Sequence, residues 1–271
     1  MYSLSIAFKS STIHYSYGGT GNHLLFCLHG YGESEKSFHF LESFLSTEYT
    51  LIAIDMPYHG STDWKEGLNF QVNELIQLQN LLIAKHGFSN KHISLLGYSM
   101  GGRIALTILQ QIPNSITRVI LLAPDGLKIN FWYWLSTQTF FGNQLFAATI
   151  HNPRWFLWMI KQFNRVGLLN LSIVKFIEYY LHDKKMRKLL FLRWTCFRKF
   201  SPNLNSLKTI VKQKRIPTHL LYGKYDRIIK PASGEKFRKG IESFCSIEII
   251  DTGHHLLKEK NAGVILNYLR A

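Results

Sequence analysis

The chain has 271 residues, of which 46% are hydrophobic, 18% charged and 14% aromatic. That balance excludes a disordered or fibrous chain, and the length suffices to bury a full core without disulfide or metal staples. The formal net charge of +15 is unevenly spread: residues 127–208 carry 13 basic and 2 acidic side chains, residues 1–126 carry 7 and 9.

Leu4–Phe8 and Ile13–Tyr17 are predicted to form an N-terminal hairpin. Short apolar runs bounded by turn residues then predict strands at His23–Leu28, Thr50–Asp55, His92–Gly97 and Arg118–Ala123. Between them Lys36–Leu45, Phe70–His86 and Met100–Gln111 are predicted as helices, with Leu75, Leu78, Leu82 and Ile83 on one face. The alternation resumes after residue 208 with strands at Thr218–Tyr222 and Ser246–Ile250, a helix from Ala232 and a last helix ending near Leu269. Such alternation is the mark of βα units around a mostly parallel sheet. Residues 127–208 interrupt it with a helical pattern in which Ile173, Ile177 and Leu181 repeat every four residues. The interruption holds 18 of the 38 aromatic residues and five of the six tryptophans. The expected organisation is one α/β domain, 1–126 and 209–271, with a basic, aromatic-rich helical insertion at 127–208, after the sixth strand.

Cys27, Cys196 and Cys245 are an odd set without paired spacing, which predicts neither a disulfide framework nor a zinc cage and fits a reducing compartment. The first residues lack a basic segment followed by an apolar one, and no continuous apolar run is long enough to span a bilayer. A cytoplasmic location is therefore expected.

Chemistry concentrates at Gly97-Tyr98-Ser99-Met100-Gly101, between a predicted strand and a predicted helix. Glycines on either side of a serine allow a sharp strand-to-helix turn that presents its hydroxyl. Serine needs a base, and the base needs a carboxylate to orient it. Asp226 follows the strand at Thr218–Tyr222, and His254 follows the strand at Ser246–Ile250. Strand carboxyl ends are where open α/β sheets hold their ligands. Asp125 and His255 compete for the same two roles. His29-Gly30-Tyr31-Gly32 follows another strand, where the backbone N–H of Tyr31, together with that of Met100, can hold an oxyanion. His29 itself is expected to be structural.

With LHGYG at 28–32, DMPYHGST at 55–62, GYSMGG at 97–102, GKYD at 223–226 and GHH at 253–255, the chain resembles the α/β-hydrolase fold family over both of its ends. The resemblance implies a mostly parallel central sheet flanked by helices, a Ser99–His254–Asp226 triad, no cofactor and no metal. It further implies a cap formed by the insertion and an ester or related acyl substrate, with Tyr98 and Arg103 as candidate substrate contacts. Tyr58 departs from the family, whose members often have glycine there. Arg103, four residues after the nucleophile, also matches a menaquinone-pathway lyase of the same fold, so a lyase acting on an anionic substrate is the alternative. A non-catalytic protein docking through its basic insertion is the second alternative. The insertion's charge and tryptophans suggest peripheral contact with an anionic membrane; for nucleic acid there is charge alone, without a groove-reading motif.

Overall fold

The structure, a computed structural model, describes residues 1–88, 92–128, 131–165, 174 and 179–270. Two compact units emerge: Met1–Glu66, Phe70–Lys128 and Phe200–Ala271 form the first, Gly67–Asn69 and Ile129–Lys199 the second.

The first unit is built on β1 (Tyr2–Phe8), β2 (Ser11–Gly18), β3 (His23–Leu28), β4 (Tyr49–Ile54), β5 (Ile93–Tyr98), β6 (Ile116–Leu122), β7 (Thr218–Gly223) and β8 (Cys245–Ile250). They form one sheet in the order β1-β2-β4-β3-β5-β6-β7-β8. β2 pairs antiparallel with both β1 and β4, and the remaining pairings are parallel. Every residue of β4 and β5 is buried. Both faces of a parallel sheet are covered, which is why these strands read as unbroken apolar runs rather than alternating ones. Chain order reverses at β3, whose neighbours are β4 on one side and β5 on the other. The crevice beyond the carboxyl ends of β3 and β5 is the place such sheets offer a ligand.

Helix α1 spans Val72–Lys85 and α2 spans Met100–Gln111. The predicted start of α1 at Phe70 is two residues early. Gln71 is extended and forms a capping box with Glu74, whose carboxylate accepts the Gln71 N–H at 2.8 Å. Phe70 is left as a core residue between Trp64 and Phe200. From Met100 to Leu109 every residue of α2 is buried, as expected of a helix apolar on all sides. The helix predicted over Lys36–Leu45 is a 3₁₀ helix at Glu35–Leu41 followed by one α-turn at Glu42–Leu45. Its start is tied down by the Glu35 N–H, which donates to Asp55 Oδ1 at 2.8 Å.

The second unit contains α3 (Phe131–Gln138), α4 (Phe140–His151), α5 (Arg154–Arg165) and α6 (Lys184–Cys196). Thr139 caps α4 and Asp183 caps α6. Phe146, on α4, packs against Phe191 and Trp194 of α6 with ring centroids 5.3 and 5.8 Å away. Of the predicted stripe, Ile173 and Ile177 lie outside the described residues and Leu181 is buried. The Arg187 guanidinium donates to the carbonyls of Ile150, Leu181 and His182.

Three more helices follow: α7 (Leu204–Lys214), α8 (Ala232–Arg238) and α9 (Ala262–Arg270). The expected boundary at 208/209 falls inside α7, which groups with the first unit because Leu207 and Val211 are wholly buried there. No described helix is long and apolar enough to cross a membrane.

Candidate active site

Ser99 sits between β5 and α2 with φ 51° and ψ −112°. A non-glycine residue in that region is strained by about 1–3 kcal/mol and persists only where its surroundings hold it. Three backbone bonds do so: the Ser99 N–H donates to Leu122 O, and Ser99 O accepts from the N–H groups of Gly102 and Asp125, each at 2.9 Å. Gly101 lets α2 start this close to the sheet, since a Cβ there would lie 1.9 Å from Leu28 O.

His254 follows β8 and Asp226 follows β7. His254 Nε2 lies 3.2 Å from Ser99 Oγ, and His254 Nδ1 lies 2.7 Å from Asp226 Oδ2. Asp226 Oδ1 accepts the N–H groups of Ile228 and Ile229 at 2.7 and 3.0 Å, so the buried carboxylate cannot turn away from the imidazole. A carboxylate on Nδ1 places the proton there and leaves Nε2 to accept from a hydroxyl. The rival residues stand elsewhere. Asp125 Oδ2 is 3.5 Å from Arg103 Nε, and His255 is exposed with its ring 6.2 Å from that of His254.

The loop after β3 lies against the serine: a Cβ on Gly30 would come within 3.4 Å of Ser99 Cβ and 2.9 Å of the Tyr98 ring. His29 is wholly buried; its Nδ1–H donates to Gly30 O at 2.8 Å and its Nε2 accepts the Met56 N–H at 3.1 Å. Those two bonds lock the loop that carries Tyr31. Met100 is the first residue of α2, where a backbone N–H has no acceptor within its own helix. Tyr58, where relatives often have glycine, has φ 63°, so the turn keeps a left-handed conformation that glycine would adopt without strain.

The two candidate substrate contacts are both buried. Tyr98 is 2% exposed and its hydroxyl donates to His254 O at 3.1 Å. Burial raises its pKa. Arg103 is 7% exposed and committed to Asp125. One group went unnoticed in the sequence: Glu33, whose Oε2 is buried without a hydrogen-bond partner. Burial raises its carboxyl pKa against the lowering effects of a Ser37 hydrogen bond and the charges of His255, His254 and Lys258. Nothing in the HGYGE spacing signals this, because the charged neighbours come from a segment over two hundred residues away. His14, Glu35 and Asp55 are likewise non-local; their ligand-type atoms lie within 4.8 Å of one another. Backbone donors already take up the carboxylates, Lys36 N–H on Glu35 and the N–H groups of Glu35 and Ser61 on Asp55.

A family model described as serine aminopeptidase, S33 (Hydrolase_4) matches residues 21–261. The chain belongs to this family of α/β hydrolases. The hydrolase is 22% identical to human monoacylglycerol lipase ABHD6 over 275 residues, covering 94% of this chain and 78% of the lipase. It is 31% identical over 117 residues to a Bacillus subtilis protein named as a 2-succinyl-6-hydroxy-2,4-cyclohexadiene-1-carboxylate synthase, covering 41% of this chain and 40% of that protein. A thermophilic esterase structure from Thermogutta terrifontis superimposes with a TM-score of 0.69 at 16% identity, over 100% of this chain and 98% of the esterase. The mostly parallel sheet flanked by helices is the α/β-hydrolase fold.

Proposed function

We propose that this hydrolase cleaves a carboxylic ester or related acyl substrate with Ser99 as nucleophile. The observation that carries the reading is the chain of contacts from Ser99 Oγ through His254 to Asp226, at 3.2 and 2.7 Å. Ser99 Oγ attacks the acyl carbon as its proton passes to His254 Nε2, and Asp226 stabilises the imidazolium. The N–H groups of Tyr31 and Met100 hold the negative oxygen that forms. His254 then protonates the leaving alcohol. Water, giving a proton to the same nitrogen, attacks the acyl-enzyme and releases the acid, which frees Ser99. The insertion is assigned the selection of the acyl chain, a reading supported by its aromatic-rich composition.

Fluorophosphonate labelling read by intact mass, beside a series of p-nitrophenyl esters from acetyl to dodecanoyl, tests this. The wild type should gain one adduct and turn over esters. Ser99→Ala should gain none and lose turnover on the order of 10⁴-fold or more. Absence of any adduct on the folded wild type would overturn the reading, and with it the triad.

The partial likeness to the synthase favours a second reading, elimination from an anionic substrate by the same three side chains. The burial of Arg103 against Asp125 weighs against it, since the cation that would meet the anion is already paired. Adduct formation with no ester turnover, together with activity on the synthase substrate, would favour it.

A further inference from the structure

The second unit displays large apolar side chains where a water-soluble surface has none to spare. On α5, Arg154, Lys161 and Arg165 are separated by seven and four residues and share one helical stripe. Trp158 is a helical neighbour of both Arg154 and Lys161, and Trp155 stands one turn from it on the same side. The three basic residues are exposed, Trp158 is 65% exposed and Trp155 39%, while Ile160 on the opposite side is buried. The helix contains no acidic residue. On α4, Phe141 and Leu145, also one turn apart, are 83% and 56% exposed.

Charge names the partner. Residues 129–199 carry 11 basic and 2 acidic side chains, and one of those acids, Asp183, is engaged as the cap of α6. The complementary surface is therefore anionic, and it must also accept two exposed indole rings. A bilayer answers both, with phosphates for the basic stripe and the headgroup boundary for tryptophan. A polynucleotide offers phosphates and stacking, and the oligonucleotide arm of the test separates it from the bilayer.

We propose that the Trp155/Trp158 and Arg154/Lys161/Arg165 face of α5 docks the protein onto a bilayer containing anionic phospholipid. Docking of this kind is independent of the chemistry assigned to Ser99. It would lay α5 along the lipid surface, and no described helix is long and apolar enough to cross it.

The test is sedimentation of the full chain with vesicles of phosphatidylcholine alone and of phosphatidylcholine with phosphatidylglycerol, at low and high salt. Binding should be confined to the anionic vesicles and reversed by salt, with a blue shift of tryptophan emission on binding. Lys161→Glu/Arg165→Glu should lower partitioning by well over tenfold, at roughly fivefold per basic group lost. Trp155→Ala/Trp158→Ala should lower it by roughly tenfold. Circular dichroism and thermal melting establish that both double variants remain folded. The proposal would be overturned by no binding to anionic vesicles at low salt, by equal binding to neutral ones, or by binding undiminished on loss of both tryptophans. Preference for a single-stranded oligonucleotide over the anionic vesicles would also overturn it.

Discussion

The hydroxyl of Tyr98 illustrates how much of an active site can lie outside the residues that do chemistry. It is buried, it directly precedes Ser99, and it holds the main-chain carbonyl of His254 at 3.1 Å. Its ring also packs on that of His254, with centroids 5.5 Å apart. Tyr98→Phe keeps the packing and deletes the bond, worth about 1 kcal/mol. The expected result is a drop in kcat of roughly fivefold with KM little changed, because the loss acts on imidazole placement and not on substrate contact. A rise in KM with kcat intact would instead put Tyr98 in the substrate site, where the motif alone suggested it. The motif could mark the serine, since glycines and a strand-to-helix switch are local features. It could not show that the preceding tyrosine reaches a carbonyl 156 positions away.

Among the elements, the junction of β3, β5 and α2 is packed so closely that only glycine fits at its centre. A methyl group on Gly101 would stand 1.9 Å from Leu28 O and 2.8 Å from His29 O, both rigid backbone. Gly101→Ala must therefore push α2 away from β3, at a cost of about 3 kcal/mol. A thermal melt should show a fall in Tm on the order of 10 °C, with Ser99 displaced and ester turnover reduced alongside. The β7–β8 edge carries a different liability. His219 is half-buried; its Nδ1 is 2.8 Å from Ser246 Oγ and its Nε2 is buried without a hydrogen-bond partner. Burial, helped by the charge of Arg118, pushes its pKa down to about 4. A base that charges less readily when folded than when unfolded favours the unfolded chain in acid. Stability should be intact above roughly pH 6.5 and decline as the pH falls from there toward the folded value. Burial lowers the pKa of His39 and His86 as well, which adds to the decline. In His219→Gln the difference in Tm between neutral and mildly acid buffer should be smaller than in the wild type, and an equal difference would exclude His219 as a contributor.

Across the whole molecule the cysteines, the charge and the fold bear on one another. All three cysteines are buried, in β3, α6 and β8. Burial raises the Cys27 thiol far above its ordinary range and pushes Cys245 up to about 12. The native protein should hence react with a thiol reagent such as DTNB only as it unfolds, releasing three equivalents in guanidinium and close to none beforehand. Prompt reaction of one equivalent in native buffer would show that one of these sites opens locally.

Much of this molecule was readable from local pattern. The parallel strands announce themselves as short apolar runs because both of their faces are covered, and the span of α2 follows directly from its apolar composition. Ser99, Asp226 and His254 each stand just past a predicted strand, so their convergence could be expected once the strands were taken as parallel neighbours. The unequal distribution of charge was likewise plain in the residue counts. Tertiary structure alone decided how near Asp226 and His254 stand to Ser99, that Arg103 is paired with Asp125, that Arg187 is bound to carbonyls and that α7 joins the first unit. It also decided which of the insertion's aromatic residues are covered and which face outward. The physical reason is common to all of these. Hydrophobic periodicity and turn chemistry act over a few residues, whereas ion pairing, burial and hydrogen-bond partnership are set by groups that folding brings together from distant parts of the chain.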